Sequence, residues 1–229
     1  MELIAVEGIP EIRPGDDLAV VIGEHAAVAP GDVVVVTQKI VSKAEGRLVA
    51  IDPADPAAHR RLVAGESVRI LRRRGELTMT ETGHGFVCAN AGIDLSNVEE
   101  GFAALLPVDS DRSARRIRDG LRGRMGVSVG VIVSDTFGRT WRRGVTDVAI
   151  GTAGVAAVID LRGTTDALGR ELAVTEVCVA DELAGAAELV MGKSRGVPVA
   201  IVRGVDPSWL RESSVHDEIV RPYNEDLFR

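Results

Sequence analysis

The sequence predicts an α+β protein built around a mixed β-sheet. Two runs, residues 33–36 and 127–133, are nearly all aliphatic and have the length of buried strands. Helical spacing appears in separate segments, and strands and helices do not alternate regularly, which argues against a purely parallel sheet. Hydrophobic residues form 45% of the 229 residues, so a packed core is expected. We predict a single domain over residues 1–229, either one body or two lobes sharing a core.

Residues 1–74 are predicted to contain two strands and two helices. Residues 2–6 form the first strand, and Asp17 caps a helix that carries Leu18 on its apolar face. A buried strand begins at residue 33 and runs on to residue 41. Residues 56–74 have helical spacing, and their last turn holds three arginines, a favourable place for cations.

The rest of the chain is predicted to hold short strands around two further helices. Asp109 caps one helix, which ends near Gly126, and residues 174–190 form an alanine-rich helix that ends at Gly192. A basic loop is expected at residues 138–147, and a polar tail that begins at residue 206 is expected to wrap another surface. The predicted strands lie within residues 78–87, 127–133, 148–151, 156–161 and 197–202, the loops at 90–97 and 138–147.

Composition excludes several classes of function. The net charge of −7 disfavours general nucleic-acid binding, which needs a basic face. No apolar run could span a bilayer, and the acidic N-terminus is unlike a secretory signal, so we expect a cytoplasmic protein. Cys88 and Cys178 lie far apart and are read as buried, reduced thiols, and the histidines and cysteines lack zinc-ligand spacing.

Familiar nucleotide and hydrolase motifs are absent. Gly83-His84-Gly85 lacks the third glycine of a dinucleotide fingerprint. Gly192-Lys193-Ser194 resembles the end of a P-loop, but Ala187 stands where the first glycine is required, and the order is helix, loop, strand. There is no GxSxG elbow.

The most informative segment follows the strand at residues 127–133. Asp135 and Thr136 offer oxygen ligands for Mg²⁺ or Mn²⁺, and three arginines follow that could bind phosphate. A carboxylate for metal beside guanidiniums suits a polyphosphate. A capping aspartate followed by a solvated basic loop is the alternative. The candidate phosphate-binding residues are Arg139, Arg142 and Arg143.

Two other segments add candidates. Asp94 lies in a glycine- and asparagine-rich turn, and taken alone it is better explained as a turn cap. It gains interest only if it faces Asp135, because two carboxylates and a hydroxyl could hold two metals against phosphate. Lys39 and Lys43 lie where the buried strand that begins at residue 33 runs into polar residues, and they are either ordinary edge-strand charges or phosphate ligands.

Several motifs in order resemble the coenzyme F-420:L-glutamate ligase family, also called F-420-0:gamma-glutamyl ligase. The resemblance covers essentially the whole chain. The segments that carry it lie at residues 8–17, 31–43, 90–97, 134–139, 180–182, 188–193 and 226–229.

The resemblance implies an intertwined homodimer that uses GTP, two divalent metals per site and K⁺ as a further candidate cation. Asp94 and Asp135 would hold one metal and Thr136 the second, and Asp135 and Lys43 would be catalytic. No C-terminal flavin reductase domain is expected. The implied GTP-binding residues are Ile9, Pro10, Glu11, Ile12, Gln38, Lys43, Asn97, Met191, Gly192, Lys193, Ser194, Arg195, Gly196, Val197 and Pro198.

The expected reaction adds L-glutamate to F-420-0 as an amide. The terminal carboxylate of the precursor would attack the γ-phosphate of GTP, and the glutamate amine would then attack the acyl phosphate. Two alternatives remain open: a metal-dependent nucleotide phosphohydrolase and a regulatory GTP-binding module.

Overall fold

The computed structural model describes residues 1–226, and the last three residues of the terminal motif at 226–229 lie outside this range. The strands are β1 (Glu2–Ala5), β2 (Val33–Thr37), β3 (Leu48–Ala50), β4 (Ser67–Arg74), β5 (Leu77–Thr82), β6 (Val87–Ala89), β7 (Phe102–Ala104), β8 (Gly130–Arg139), β9 (Arg142–Ala153), β10 (Ile159–Asp160), β11 (Glu176–Val177) and β12 (Val199–Arg203). The α-helices are α1 (Leu18–His25), α2 (Gln38–Ala44), α3 (Ala58–Gly65), α4 (Ser110–Met125), α5 (Val179–Met191) and α6 (Val215–Glu218).

A five-stranded sheet in the order β1-β12-β2-β8-β9 forms the centre of the molecule. Only β2 and β8 pair in parallel, with Val33 opposite Gly130 and Thr37 opposite Ser134, and the other neighbours are antiparallel. The predicted α+β class with a mixed sheet is therefore confirmed.

Helices cover both faces of this sheet. On one face α1 and α4 contribute Ile22 and Leu121, which pack with Val131 and Val133 of β8. On the other face α5 packs against residues such as Ile132. A separate, smaller apolar cluster lies near α3, β3 and β7. Side chains alternate along a strand, so successive residues of β8 face different helices.

The predicted helix ends are mostly confirmed. Asp17 caps α1 by accepting hydrogen bonds from the backbone N–H groups of Ala19 and Val20. Asp109 caps α4 by accepting from Arg112 N, and Gly126 ends α4 in the left-handed region with φ of 69°. Short polar side chains and glycine set these ends locally, which is why the sequence predicts them.

Two predictions in the first half were wrong. The strand that begins at Val33 stops at Thr37, and residues 38–41 belong to α2, because the side chains of Ile40 and Val41 are buried from a helix rather than from a strand. The helix predicted over residues 56–74 ends at Gly65. Residues 67–74, including the three arginines, form β4, which pairs with β5.

Three predictions in the second half need correction. The strand predicted to stop before Ser134 continues to Arg139, and the expected basic loop is the tip of the β8–β9 hairpin. Helix α5 begins at Val179, because Glu176 and Val177 pair with β10 instead. Cys88 is buried as expected, whereas Cys178 is half-buried, and both thiols are free.

A bulge interrupts the β8–β9 hairpin between Val133 and Ser134. Val133 pairs with Gly151 and Ser134 pairs with Ala149, so Ile150 is the extra residue on β9. Beyond the bulge, Thr136 lies opposite Asp147.

The tail covers another surface, as predicted, up to the last described residue. Asp111 of α4 accepts hydrogen bonds from the backbone N–H groups of Val215 and His216. None of the helices formed by residues 1–226 combines the length and the apolar character that crossing a membrane requires.

Candidate functional site

A cleft of about 270 Å³ opens where β2 ends. It brings together segments that lie far apart in the sequence. Its lining residues are Ile9, Pro10, Glu11, Ile12, Thr37, Gln38, Lys39, Ile40, Lys43, Asp94, Asn97, Ser134, Asp135, Thr136, Asp147, Glu188, Gly192, Lys193, Gly196, Val197 and Pro198.

The change from β2 to α2 creates the cleft. Thr37 is the last residue of β2 and pairs with Ser134, but β8 continues for five more residues to Arg139. Asp135 and Thr136 therefore lie on a stretch of β8 that has lost its neighbour on one side. A strand edge with unpaired polar groups and acidic side chains is well suited to binding a ligand.

All three lysines of the chain line this cleft. Lys39 and Lys43 are four residues apart on α2, and such positions face the same side of a helix. Lys39 Nζ lies 2.7 Å from Asp94 Oδ2, and Lys43 forms an ion pair with Glu11. Lys193 reaches the cleft from the loop after α5 and donates a hydrogen bond to Thr136 Oγ1. The lysines thus concentrate the compact cationic charge of the protein at one site.

Asp135 is the most perturbed acid of the cleft. The pKa of Asp135 is raised to about 7, mainly by burial and also by the nearby charges of Asp94 and Asp147. The backbone N–H of Thr136, 2.8 Å from Asp135 Oδ1, and the charge of Lys193 act in the opposite direction. Burial destabilises the charged form of this carboxyl group, and a cation bound beside it would stabilise that form.

The pKa of Asp94 is shifted in the opposite direction to that of Asp135. Burial alone would raise its pKa, but hydrogen bonds from Lys39 and Ser96 outweigh burial and hold the pKa of Asp94 below its ordinary value. Hydrogen bonds in both directions with Ala104 fix its backbone, and Ser96 N donates to Asp94 Oδ1 at 3.1 Å. The prediction that Asp94 caps a turn and the prediction that it faces Asp135 are both consistent with this geometry.

Thr136 belongs to a short hydrogen-bonded chain. Its hydroxyl accepts from Lys193 and donates to Asp147 Oδ1 at 2.6 Å, and Ser134 Oγ donates to Asp147 Oδ2 at 3.1 Å. Asp147 is buried, so it fixes the orientation of the Thr136 hydroxyl. Burial and the neighbouring charge of Asp147 raise the pKa of Glu188 on the same side of the cleft.

Gln38 offers a hydrogen-bond donor to a ligand. Its side chain is buried at the start of α2, and Gln38 Oε1 accepts from Ser42 Oγ at 2.8 Å. Its amide nitrogen, Nε2, has no hydrogen-bond partner within the described residues. A buried donor without a partner is costly, so an acceptor oxygen of a ligand would be favoured here.

The cleft chemistry fits a divalent metal, provided that the substrate completes the ligand set. Carboxylate and hydroxyl oxygens from Asp94, Asp135 and Thr136 are the ligands that Mg²⁺ and Mn²⁺ prefer. Residues 1–226 contain no ready cluster of three or more His, Cys, Asp or Glu side chains around one point. Magnesium is commonly held by one or two carboxylates together with substrate phosphates, which matches this incomplete set.

Most of the predicted site residues lie together in the cleft, and a few lie elsewhere. Met191, the last residue of α5, is packed in the core, and Ser194 and Arg195 are exposed on the loop that follows. The candidate phosphate residues Arg139, Arg142 and Arg143 lie around the tip of the β8–β9 hairpin and do not line the cleft. Arg139 there donates to the carbonyl oxygen of Arg143 at 2.8 Å.

Sequence reasoning missed Ser134 and Asp147. Asp147 was assigned to the basic loop because its partner across the hairpin could not be known. The available signal was the pair of β-branched residues Val145 and Thr146 just before Asp147, since such residues are common in strands. Glu188 was noted only within a family motif.

Comparison with known proteins identifies the family. A family model described as F-420-0:gamma-glutamyl ligase matches residues 8–204. Two similar relatives are coenzyme F-420:L-glutamate ligases of Methanopyrus kandleri, 42% identical, and Methanothermobacter thermautotrophicus, 41% identical. The alignments cover 99% and 100% of this chain and 98% and 99% of the relatives. A relative of the same name from Archaeoglobus fulgidus is 41% identical over 100% of this chain and 96% of its own length. The chain therefore belongs to the F-420-0:gamma-glutamyl ligase family.

Proposed function

We propose that this protein is a GTP-dependent ligase that adds L-glutamate to F-420-0 through an amide bond. Family membership supports the ligase activity. The observation that carries the nucleotide-dependent chemistry is the meeting of all three lysines with Asp94, Asp135 and Thr136 in one cleft. Lysine ammonium groups bind phosphate as point charges, and carboxylates beside them suit a metal-bound polyphosphate.

The cleft favours a nucleotide with its phosphates toward β8. Lys43 and Lys193 reach the cleft from α2 and from the loop after α5, and they would neutralise phosphate oxygens there. The unpartnered amide of Gln38 and the side chain of Asn97 would donate to polar groups of the nucleotide. Among residues 1–226 no aromatic side chain lines the cleft, so we propose that the guanine is recognised through hydrogen bonds.

The proposed chemistry has two steps. A carboxylate oxygen of the precursor attacks the γ-phosphorus of GTP, the bond to the bridging oxygen breaks, and GDP leaves. The glutamate amine then attacks the acyl carbon, the carbon–nitrogen bond forms, phosphate leaves, and the amine loses a proton. Lys43 and Lys193 stabilise the charge that develops on the phosphate oxygens.

Asp94, Asp135 and Thr136 would hold the divalent metals, which when bound supply further positive charge to the phosphates. Asp147 keeps the Thr136 hydroxyl oriented through their 2.6 Å hydrogen bond. Because its pKa is raised, Asp135 keeps its proton to a higher pH than an ordinary aspartate does when no cation is bound. We also propose that the enzyme acts as an intertwined homodimer and that K⁺ is a further cation.

The test is a turnover assay with F-420-0, L-glutamate, GTP and Mn²⁺, read by mass spectrometry. We expect a mass gain of one or more glutamyl units that needs GTP and is lost in Asp135→Asn. Asp119→Asn is the matched control, because Asp119 is an exposed residue of α4 that pairs with Arg118 outside the cleft. Hydroxylamine in place of glutamate should trap the acyl phosphate as a hydroxamate of the precursor.

Other outcomes would separate the alternatives. GTP hydrolysis that neither needs glutamate nor yields a glutamyl product would indicate a phosphohydrolase. Metal-dependent GTP binding without turnover would indicate a regulatory module. Equal rates with ATP would contradict the preference for guanine.

A further inference from the structure

A second cavity, of about 390 Å³, lies away from the cleft and shares no lining residue with it. It is enclosed by the turn between β5 and β6, the N-terminus of α4 and the short helix α6. Its volume is in the range of about 300–1,000 Å³ that is usual for small-molecule sites. The lining residues are Gly83, His84, Phe86, Val108, Asp109, Ser110, Asp111, Arg115, Ile150, Ser214, His216 and Asp217.

Ser110 is the first sign of a ligand. It is the first residue of the 16-residue helix α4, and it is only 3% exposed. Its hydroxyl has no hydrogen-bond partner within residues 1–226, although it lines a cavity. A buried hydroxyl without a partner is unfavourable, and the N-terminus of a long helix attracts negative charge. Together these features favour a carboxylate or similar oxyanion at this point.

The other charges show that a simple anion is not the best ligand. Asp109 and Asp217 line the same cavity as Arg115, so both signs of charge are present. Asp111 is already satisfied, because its carboxylate accepts hydrogen bonds from the backbone N–H groups of Thr152, Val215 and His216. Inorganic phosphate would be repelled by Asp109 and Asp217. A ligand that carries both an anionic and a cationic group would match the site.

The remaining wall is apolar and ordered. His84 Nε2 donates to the carbonyl oxygen of Pro107 at 2.8 Å, and the ring stacks on Phe86 with centroids 5.5 Å apart. Phe86 in turn meets the edge of Phe137 at 6.1 Å, and Phe137 directly follows Thr136 on β8. The aromatic pair Phe86–Phe137 therefore links the wall of this cavity to the strand that carries Asp135 and Thr136.

We infer that this cavity binds a free α-amino acid. The α-carboxylate lies at Ser110 Oγ and the N-terminus of α4, and the ammonium group lies toward Asp109 and Asp217. The identity of the amino acid rests on the proposed function: it is L-glutamate, with its second carboxylate toward Arg115. The site holds the amino acid beside the cleft and does so without nucleotide.

Equilibrium dialysis with radiolabelled L-glutamate, in the absence of nucleotide and metal, tests this inference. We expect Ser110→Ala and Arg115→Gln each to weaken binding by about tenfold, the usual effect of losing a hydrogen bond to a charged group. Arg116→Gln is the matched control, because Arg116 is an exposed arginine on the same helix that lies 3.7 Å from Glu45. Arg116→Gln and the cleft variant Asp135→Asn should bind glutamate within about twofold of the unchanged protein.

Two further measurements exclude a merely structural effect. Ser110→Ala should unfold at the same or a higher temperature than the unchanged protein, because it removes a buried hydroxyl that has no partner. Glutarate, which lacks the ammonium group, and 4-aminobutyrate, which lacks the α-carboxylate, should both bind more weakly than glutamate.

Clear results would overturn the inference. Glutamate binding that is lost in Asp135→Asn but kept in Ser110→Ala and Arg115→Gln would place the amino acid in the cleft. No saturable glutamate binding, or tighter binding of inorganic phosphate than of glutamate, would also overturn it. Glutamyl transfer is measured separately, so ligase turnover without binding in this cavity would leave the proposed function standing.

Discussion

Replacing Asp135 with asparagine should make the metal-free protein more stable. The substitution keeps the size of the side chain and an oxygen that can accept from Thr136 N, now 2.8 Å away. It removes a carboxylate whose pKa is raised from 3.8 to about 7, mainly by burial. A group whose pKa is raised by folding costs stability when it is ionised.

The size of the stability gain follows from the pKa shift of Asp135. At about 1.4 kcal/mol per pH unit, a rise from 3.8 to about 7 corresponds to roughly 4 kcal/mol. Because Asp135 is only half-buried and water reaches it through the cleft, we expect a gain on the order of 2 kcal/mol. The gain should be near zero at about pH 4, should increase as the pH rises toward about 7, and should be constant above that.

Urea denaturation in the presence of a chelator, at pH 5 and at pH 8, measures this effect. Asp94→Asn is the matched control, and it should destabilise the protein at pH 8, because the pKa of Asp94 is lowered and its carboxylate pairs with Lys39. Saturating Mn²⁺ should stabilise the unchanged protein more than Asp135→Asn, since binding to the folded state adds stability. An Asp135→Asn variant that is no more stable at pH 8, or whose gain does not depend on pH, would refute this reasoning.

Other changes test the rest of the site and the fold. Asp147→Asn should lower the turnover rate by about 10- to 100-fold, because Thr136 loses the carboxylate that orients it, and a normal rate of glutamyl transfer would contradict this role. Lys43→Met should raise the KM for GTP by about tenfold or more with the fold intact, as judged by GTP titration beside a denaturation curve. Gly151→Ala should lower the free energy of unfolding by about 1–3 kcal/mol, because the added Cβ would lie 2.3 Å from the carbonyl group of Ser110. A urea midpoint within experimental error of the unchanged protein would show that α4 can move away.

Local chemistry explains which parts of the fold the sequence could predict. The ends of α1 and α4 were predicted because Asp17, Asp109 and Gly126 act on the residues beside them. The start of α2 was missed, because Ile40 and Val41 are typical of strands in isolation and are buried in a helix by tertiary packing. The same limit applies to β4, whose partner β5 decides its conformation.

The candidate site was predicted mainly from motif order. An apolar strand followed by Asp135 and Thr136 suggested a ligand site, but the sequence alone left a capping residue equally open. The approach of Asp94 to Asp135 and of Lys39 to Asp94 depends on the folding of distant segments, which no local pattern contains. Asp147 was missed because its role depends on the register of the hairpin.

The bulge at Ile150 has a consequence for insertions and deletions in β9. Ala149 faces α5 and Ile150 faces α4, whereas Thr152 pairs with Ile132 on the α5 side, so the extra residue reverses the alternation. Removing Ile150 itself would restore regular pairing and leave Asp147 opposite Thr136. Removing Val148 or Ala149 with the bulge kept would instead shift the pairing by one residue and turn Asp147 toward the opposite layer, away from Thr136. The chemistry of the hairpin is thus fixed by the number of residues in β9 as much as by their identity. Within this short stretch, a change of length that shifts the pairing would separate Asp147 from Thr136 although both residues are kept.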